Sequence, residues 1–172
     1  MKSRIDIDIF DQQSVRDAAK LMLEFQNNFM PKLLAMLTEL AENGVQIVDS
    51  TKSGILIDGH PADGTCRFEI KQLSNVSAMA KIIFEGTEVL FVEFGTGIRF
   101  SNPQNPKAGE MGMGVGTYPG QTHAFDPKGW WIPKEHGGGH SYGNPAVMPM
   151  YKADEDLKNF QKVARIFDKY FG

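Results

Sequence analysis

The stretch Val92-Glu93-Phe94-Gly95-Thr96-Gly97 divides this 172-residue chain into two kinds of sequence. Ahead of it lie runs with clear helical and strand periods. Behind it, Arg99 to Ser141 keeps no sustained period, and twelve of the eighteen glycines fall between Gly95 and Gly143, with Pro103, Pro106, Pro119, Pro127 and Pro133 among them. A compact domain seldom carries so long an irregular insert unless the insert is a working part. The expectation is one domain, residues 1–172, that presents a flexible arm over about residues 99–141 and has no catalytic cleft.

Working back from that stretch, two alternating runs face each other across Ser74-Asn75. Cys66, Phe68 and Ile70 alternate with Arg67, Glu69 and Lys71, and Ala78, Ala80, Ile82 and Phe84 with Met79, Lys81, Ile83 and Glu85. That period of two predicts an antiparallel pair of strands. Glu88 to Phe94 is too short for periodicity to separate a third strand from a buried helix. Between Val45 and Asp63, Ile55, Leu56 and Ile57 form a candidate short strand, followed by the turn residues Asp58-Gly59-His60-Pro61.

Nearer the amino terminus, Val15, Ala18, Met22, Phe25, Phe29, Leu33, Met36 and Leu40 recur at steps of three and four. They make one apolar face of a long helix, widened by Leu23, Met30, Leu34, Leu37 and Ala41. Asp11 or Ser14 caps its start, Gly44 offers a stop near Asn43, and Pro31 should kink or split it. At about 1.5 Å per residue it would span roughly 45 Å, and so long a helix on so small a domain often projects into a partner subunit. Arg4 to Phe10 alternates Ile5, Ile7 and Ile9 with Asp6 and Asp8, as a half-buried edge strand does. At the other end, Leu157, Phe160, Val163, Ala164, Phe167 and Tyr170 form one face of a helix that Asp154 can cap. The fold class expected is α+β: a small antiparallel sheet packed by a long amino-terminal helix and a carboxy-terminal helix, with a long glycine-rich loop.

Composition excludes several classes of function. The net charge is -3, whereas binding to a nucleic-acid backbone needs several unopposed Lys or Arg. No apolar run reaches the roughly 18 to 20 residues that span a bilayer, and the amino terminus lacks the apolar stretch of a secretory signal. Neither a specific nucleic acid nor a membrane is expected as a partner. The lone Cys66 cannot form an internal disulfide, which fits synthesis in a reducing cytoplasm.

The candidate chemical groups favour structure over catalysis. His136 and His140 have a helical metal-site spacing, but Gly137-Gly138-Gly139 between them makes a helix improbable. His60 and His123 are distant in sequence. Gly112-Met113-Gly114-Val115-Gly116 lacks the Lys-Ser/Thr and the strand-to-helix setting of a phosphate loop, and Ser141 lacks that of a nucleophile elbow. Glu93, between apolar residues, needs a partner if buried. Backbone N–H groups of the Gly-Thr-Gly turn, or Arg99, are the candidates. No catalytic residue, metal or cofactor is expected. The competing readings are a small metal-dependent hydrolase using His136, His140 and Glu93, and a host-directed adaptor. Met111, Met113, Tyr118, Phe125, Trp130, Trp131 and Ile132 are unusual in a solvated linker. They suggest an arm that orders against a partner, with Trp130 and Trp131 anchoring its base or meeting another subunit.

Phe91-Val92-Glu93-Phe94-Gly95-Thr96-Gly97, then Gly129-Trp130-Trp131, then Gly143-Asn144-Pro145-Ala146-Val147-Met148-Pro149-Met150 before a terminal helix resembles the phage tail-component family represented by the gene-ten product of coliphage Hong Kong 97. Its members are small neck or tail-completion proteins of long-tailed phages and prophages. The chain departs from the family pattern at Met148-Pro149-Met150, where an aromatic is common, and in the Val45 to Asp63 approach to the first strand. The resemblance implies a structural virion protein made in the host cytoplasm. It would form a ring with itself, a hexamer being one arrangement, and meet head-connector and tail-tube proteins. It further implies that Glu93, Phe94, Gly95, Thr96 and Gly97 form a turn or hinge that launches the arm. Pro145, Ala146 and Pro149 would be its return, and the arm's own aromatics, Tyr118, Phe125, Trp130 and Trp131, are its expected contacts.

Overall fold

A computed structural model describes residues 7–57, 60–100, 104–117, 122–136 and 138–172. The fold is α+β. Helix α1 runs over Gln12–Lys52. Two short strands follow, β1 (Leu56–Ile57) and β2 (His60–Pro61), and then the longer β3 (Thr65–Gln72) and β4 (Ala78–Glu85). Helix α2 (Val89–Phe94) leads to strands β5 (Trp130–Ile132) and β6 (Gly139–Ser141), and the chain closes with α3 (Pro149–Leu157) and α4 (Phe160–Phe171). The strands form three separate two-stranded pairs, β1–β2, β3–β4 and β5–β6.

Helix α1 starts where Asp11 caps it: its carboxylate accepts from the N–H of Gln13 at 3.0 Å and of Ser14 at 3.3 Å. The helix does not end near Asn43, where Gly44 offers a stop. It continues for nine residues because Ala41, Gly44 and Val48 fall on one buried line, where a glycine without a side chain fits. The stop comes at Gly54, whose φ of 78° is the left-handed conformation that ends helices. Pro31 lies inside the helix and does not split it.

Strands β3 and β4 match the alternation in the sequence, with Cys66, Phe68 and Ile70 half-buried and their neighbours exposed. The backbone N–H groups of Leu73 and Ser74 both donate to the Ser77 carbonyl and close the hairpin. Two expectations are corrected and one open reading is resolved. Residues 7–10 of the expected edge strand form a turn into α1, and the rest of that run lies outside the described residues. Glu88 to Phe94 resolves as helix α2, not a strand. The carboxy-terminal helix is two helices, and it starts at Pro149 instead of Asp154. The break falls at Asn159, whose side-chain oxygen caps α4 by accepting from the N–H of Gln161 and Lys162.

The chain divides into two compact units. One holds the described residues of Met1–Asn43, Phe68–Lys81 and Leu157–Gly172; the other holds those of Gly44–Arg67 and Ile82–Asp156. In the first unit the buried apolar side chains among the described residues are Ala18, Ala41 and Ile166. Phe29 meets Phe171 there, and Glu39 accepts hydrogen bonds from Lys169 Nζ and the Tyr170 hydroxyl, each at 2.7 Å. The second unit buries Val48, Ile57, Val92, Ala108, Ala124, Ala146 and Ala153, with Pro149.

Candidate functional site

Glu93 sits near the end of α2 with its side chain 8 % exposed. Its carboxylate accepts from the N–H of Met150 at 2.8 Å, from the N–H of Tyr151 at 3.0 Å and from Asn105 Nδ2 at 2.7 Å. Two of these donors belong to the first turn of α3, whose N–H groups have no partner within the helix. Glu93 is therefore the amino-terminal cap of α3, supplied from 57 residues away in sequence. A negative charge there also faces the positive end of the helix dipole. Burial pushes the Glu93 carboxyl above its ordinary range, and the three hydrogen bonds draw it back only in part.

The same contact fixes the segment ahead of α3. The N–H groups of Val147 and Met148 donate to the Val92 carbonyl at 2.9 and 3.3 Å. Met148 has a φ of 62°, the sole positive value outside glycine among the described residues. A side chain in that conformation costs about 1–2 kcal/mol. Pro149 follows at the first helical position, where its missing N–H is no loss.

Thr96 and Asn144 complete a second clasp. Their backbones pair as a two-way bridge, with Thr96 N–H to Asn144 O at 2.8 Å and Asn144 N–H to Thr96 O at 3.2 Å. The Thr96 hydroxyl donates to Asn144 Oδ1 at 2.6 Å, and Asn144 Nδ2 donates to the Phe91 carbonyl at 2.8 Å. This approach explains the glycines. A Cβ on Gly95 would lie 2.7 Å from the Ala146 nitrogen, and one on Gly143 would lie 2.1 Å from the Thr96 oxygen. The glycines admit backbone to backbone contact, and through it the expected turn at Glu93 to Gly97 is clasped to the expected arm return. Within that return Ala146 and Pro149 are buried and Pro145 is exposed.

The expected partners of Glu93 are corrected too. It binds distant N–H groups in place of those of Gly95 to Gly97, and the Arg99 guanidinium lies over the Tyr142 ring at 3.9 Å. Asn105 and Asn144 are the residues that sequence reasoning missed. Asn144 was visible as part of the Gly143-Asn144-Pro145 block, but nothing near Asn105 marks its role.

Residues 99–141 include ordered elements. Turns fill 106–112, and β5 and β6 pair antiparallel with Trp130 opposite Ser141, Trp131 opposite His140 and Ile132 opposite Gly139. Alternation turns Ser141 inward, half-buries Trp130 and leaves Trp131 77 % exposed. On the exposed face the Trp131 and His140 rings meet edge to face at 5.0 Å, and His140 and Tyr142 at 4.7 Å. With Arg99 over Tyr142, four side chains form one row. Phe94 is half-buried beside Met111, Phe125 is exposed, and Tyr118 lies outside the described residues.

No family model, curated protein or solved structure matches the chain. Glu93 and His140 engage different partners, and His136 lies on a short 3-10 turn. Among the described residues no group of three or more His, Cys, Asp and Glu could hold a metal ion, and no helix is long and apolar enough to cross a membrane. Cys66 is half-buried in β3, where burial pushes its thiol up, away from the reactive thiolate.

Proposed function

We propose that this chain is a structural assembly subunit of a tailed phage or prophage, acting at the head–tail junction as a neck or tail-completion protein, with no catalytic role. The observation that carries the reading is the first unit, which among the described residues buries few apolar side chains and exposes large ones. Ala18, Ala41 and Ile166 are inside, while Leu21, Met22, Leu23 and Phe25 are each more than half exposed along α1. These four positions cover a broad arc of the helix, wider than the stripe needed to pack on one neighbour, while Lys20, Glu24, Asn27 and Asn28 hold the polar side. Monomeric proteins rarely leave apolar patches of that extent to water.

The resemblance supplies the kind of assembly. Its two sequence blocks, around Glu93 and around Asn144, meet in one hydrogen-bonded clasp, which supports reading them as scaffold. Glu93, the acid in the core of that motif, serves as a helix cap.

Amide hydrogen exchange on the free subunit and on assembled particles tests the proposal. The expected result is rapid exchange along Val15 to Phe29 in the free subunit and strong protection in particles. Equal exchange in both states would count against an assembly role for this surface.

A further inference from the structure

The first unit contains a hollow of about 520 Å³ that the proposed function leaves unused. Phe25, Phe29, Met30 and Val76 supply its apolar walls. Its other lining residues, Gln26, Asn27, Gln72 and Asn75, are all carboxamides, so among the described residues none lining it carries a charge. Such a site suits a large apolar group with one polar hydrogen. A carboxamide oxygen can accept that hydrogen, and no buried charge is left unpaired. Indole fits this description, because it is a broad hydrophobe with a single N–H donor that needs a partner once buried.

The second unit presents such a group. Trp131 is 77 % exposed, yet its ring is held against His140, which is held in turn against Tyr142. A side chain fixed before contact loses little rotamer freedom on docking. The more exposed Phe10, on the turn before α1, and Phe160, on the first turn of α4, have no such ring beside them, and Phe25 and Phe167, which do, lack a polar hydrogen. Tryptophan is also among the residues enriched as energetic anchors of protein interfaces.

We propose that Trp131 of one copy seats in the hollow formed by Phe25, Phe29, Met30 and Val76 of the next copy. The inference rests on the assembly reading and specifies its contact. Knob and hole are different surfaces of the same chain, so the interface is heterologous. Repeated head to tail, it closes into a ring or continues as a filament.

Sedimentation of the full chain tests this with two variants, each checked for native circular dichroism. Trp131→Ala removes the knob and leaves the hole. Val76→Glu places a charge at the rim of the hole, at a position 72 % exposed where folding is unaffected, and leaves the knob. Each variant alone should self-associate at least tenfold more weakly than wild type, about 1.4 kcal/mol, and Trp131→Phe should fall between. Mixed together, the two variants retain one good knob and one good hole, and should form a 1:1 dimer and nothing larger. A wild-type chain that stays monomeric at every concentration overturns the proposal. So do variants that assemble as wild type does, which would leave the broader assembly reading standing, and a mixture that fails to pair.

Discussion

Replacing Glu93 isolates the contact that ties α2 to α3. In Glu93→Ala the N–H groups of Met150 and Tyr151 and the Asn105 amide lose their acceptor at a site 8 % exposed, where water cannot readily replace it. Hydrogen bonds to a charged group contribute about 1.5–3 kcal/mol each net, and loss of a cap costs about 0.5–2 kcal/mol. These contributions are not additive, and removing a desolvated carboxylate returns part of the loss. The expected destabilisation is about 3 kcal/mol for Ala.

Glu93→Gln keeps one acceptor oxygen but turns an NH₂ toward one of the donors, so about 1–2 kcal/mol should be lost. Urea unfolding followed by tryptophan fluorescence is the assay, since Trp130 and Trp131 lie in the same unit as Glu93. The pH dependence has a definite sign. Burial raises the folded carboxyl above its ordinary value of 4.5, so the folded state binds the proton more tightly than the unfolded state. Stability from this group is then fully present below 4.5 and declines as pH rises through the folded value. Gln does not titrate, so its deficit relative to wild type should shrink from pH 4 toward pH 7. A Glu93→Ala protein within about 0.5 kcal/mol of wild type, or a Gln deficit that grows with pH, would refute the reasoning.

Four further substitutions probe the same framework. Gly95→Ala should cost about 2–4 kcal/mol, because the new Cβ meets backbone at 2.7 Å on a residue with φ of 75°, while Gly112→Ala, with φ of 65° but open space, should cost about 1 kcal/mol; thermal denaturation of both separates crowding from backbone strain. Asn144→Ala should lose about 2 kcal/mol in the urea assay, since the buried side chain bridges Thr96 and the Phe91 carbonyl. Asn159→Ala, read by far-ultraviolet circular dichroism during melting, should cost about 1 kcal/mol through loss of the α4 cap.

Local periods made the β3–β4 hairpin legible, because Cys66, Phe68 and Ile70 obey the two-residue alternation that a half-buried strand imposes. The start of α1 was legible for the same kind of reason: Asp11 precedes the first apolar positions and caps them. The end of α1 was not. Gly44 reads as a stop until its burial beside Ala41 and Val48 is known, and burial depends on what packs there.

The α3 start illustrates the harder limit. Its cap comes from Glu93, far away in the chain, so no residue adjacent to Pro149 announces the helix. The clasp glycines were conspicuous, but flexibility and close approach leave the same mark in a sequence. Contacts such as Gly95 on Ala146 are needed to choose between them. The β5–β6 hairpin escaped notice because its strands are three residues each, too short for a period to register.

Electron microscopy of lysates from the phage or prophage with this gene deleted tests the central claim most directly. DNA-filled heads and separate tails that fail to join are expected, with joining restored by the wild-type gene. Normal joined particles in the absence of the gene would contradict it.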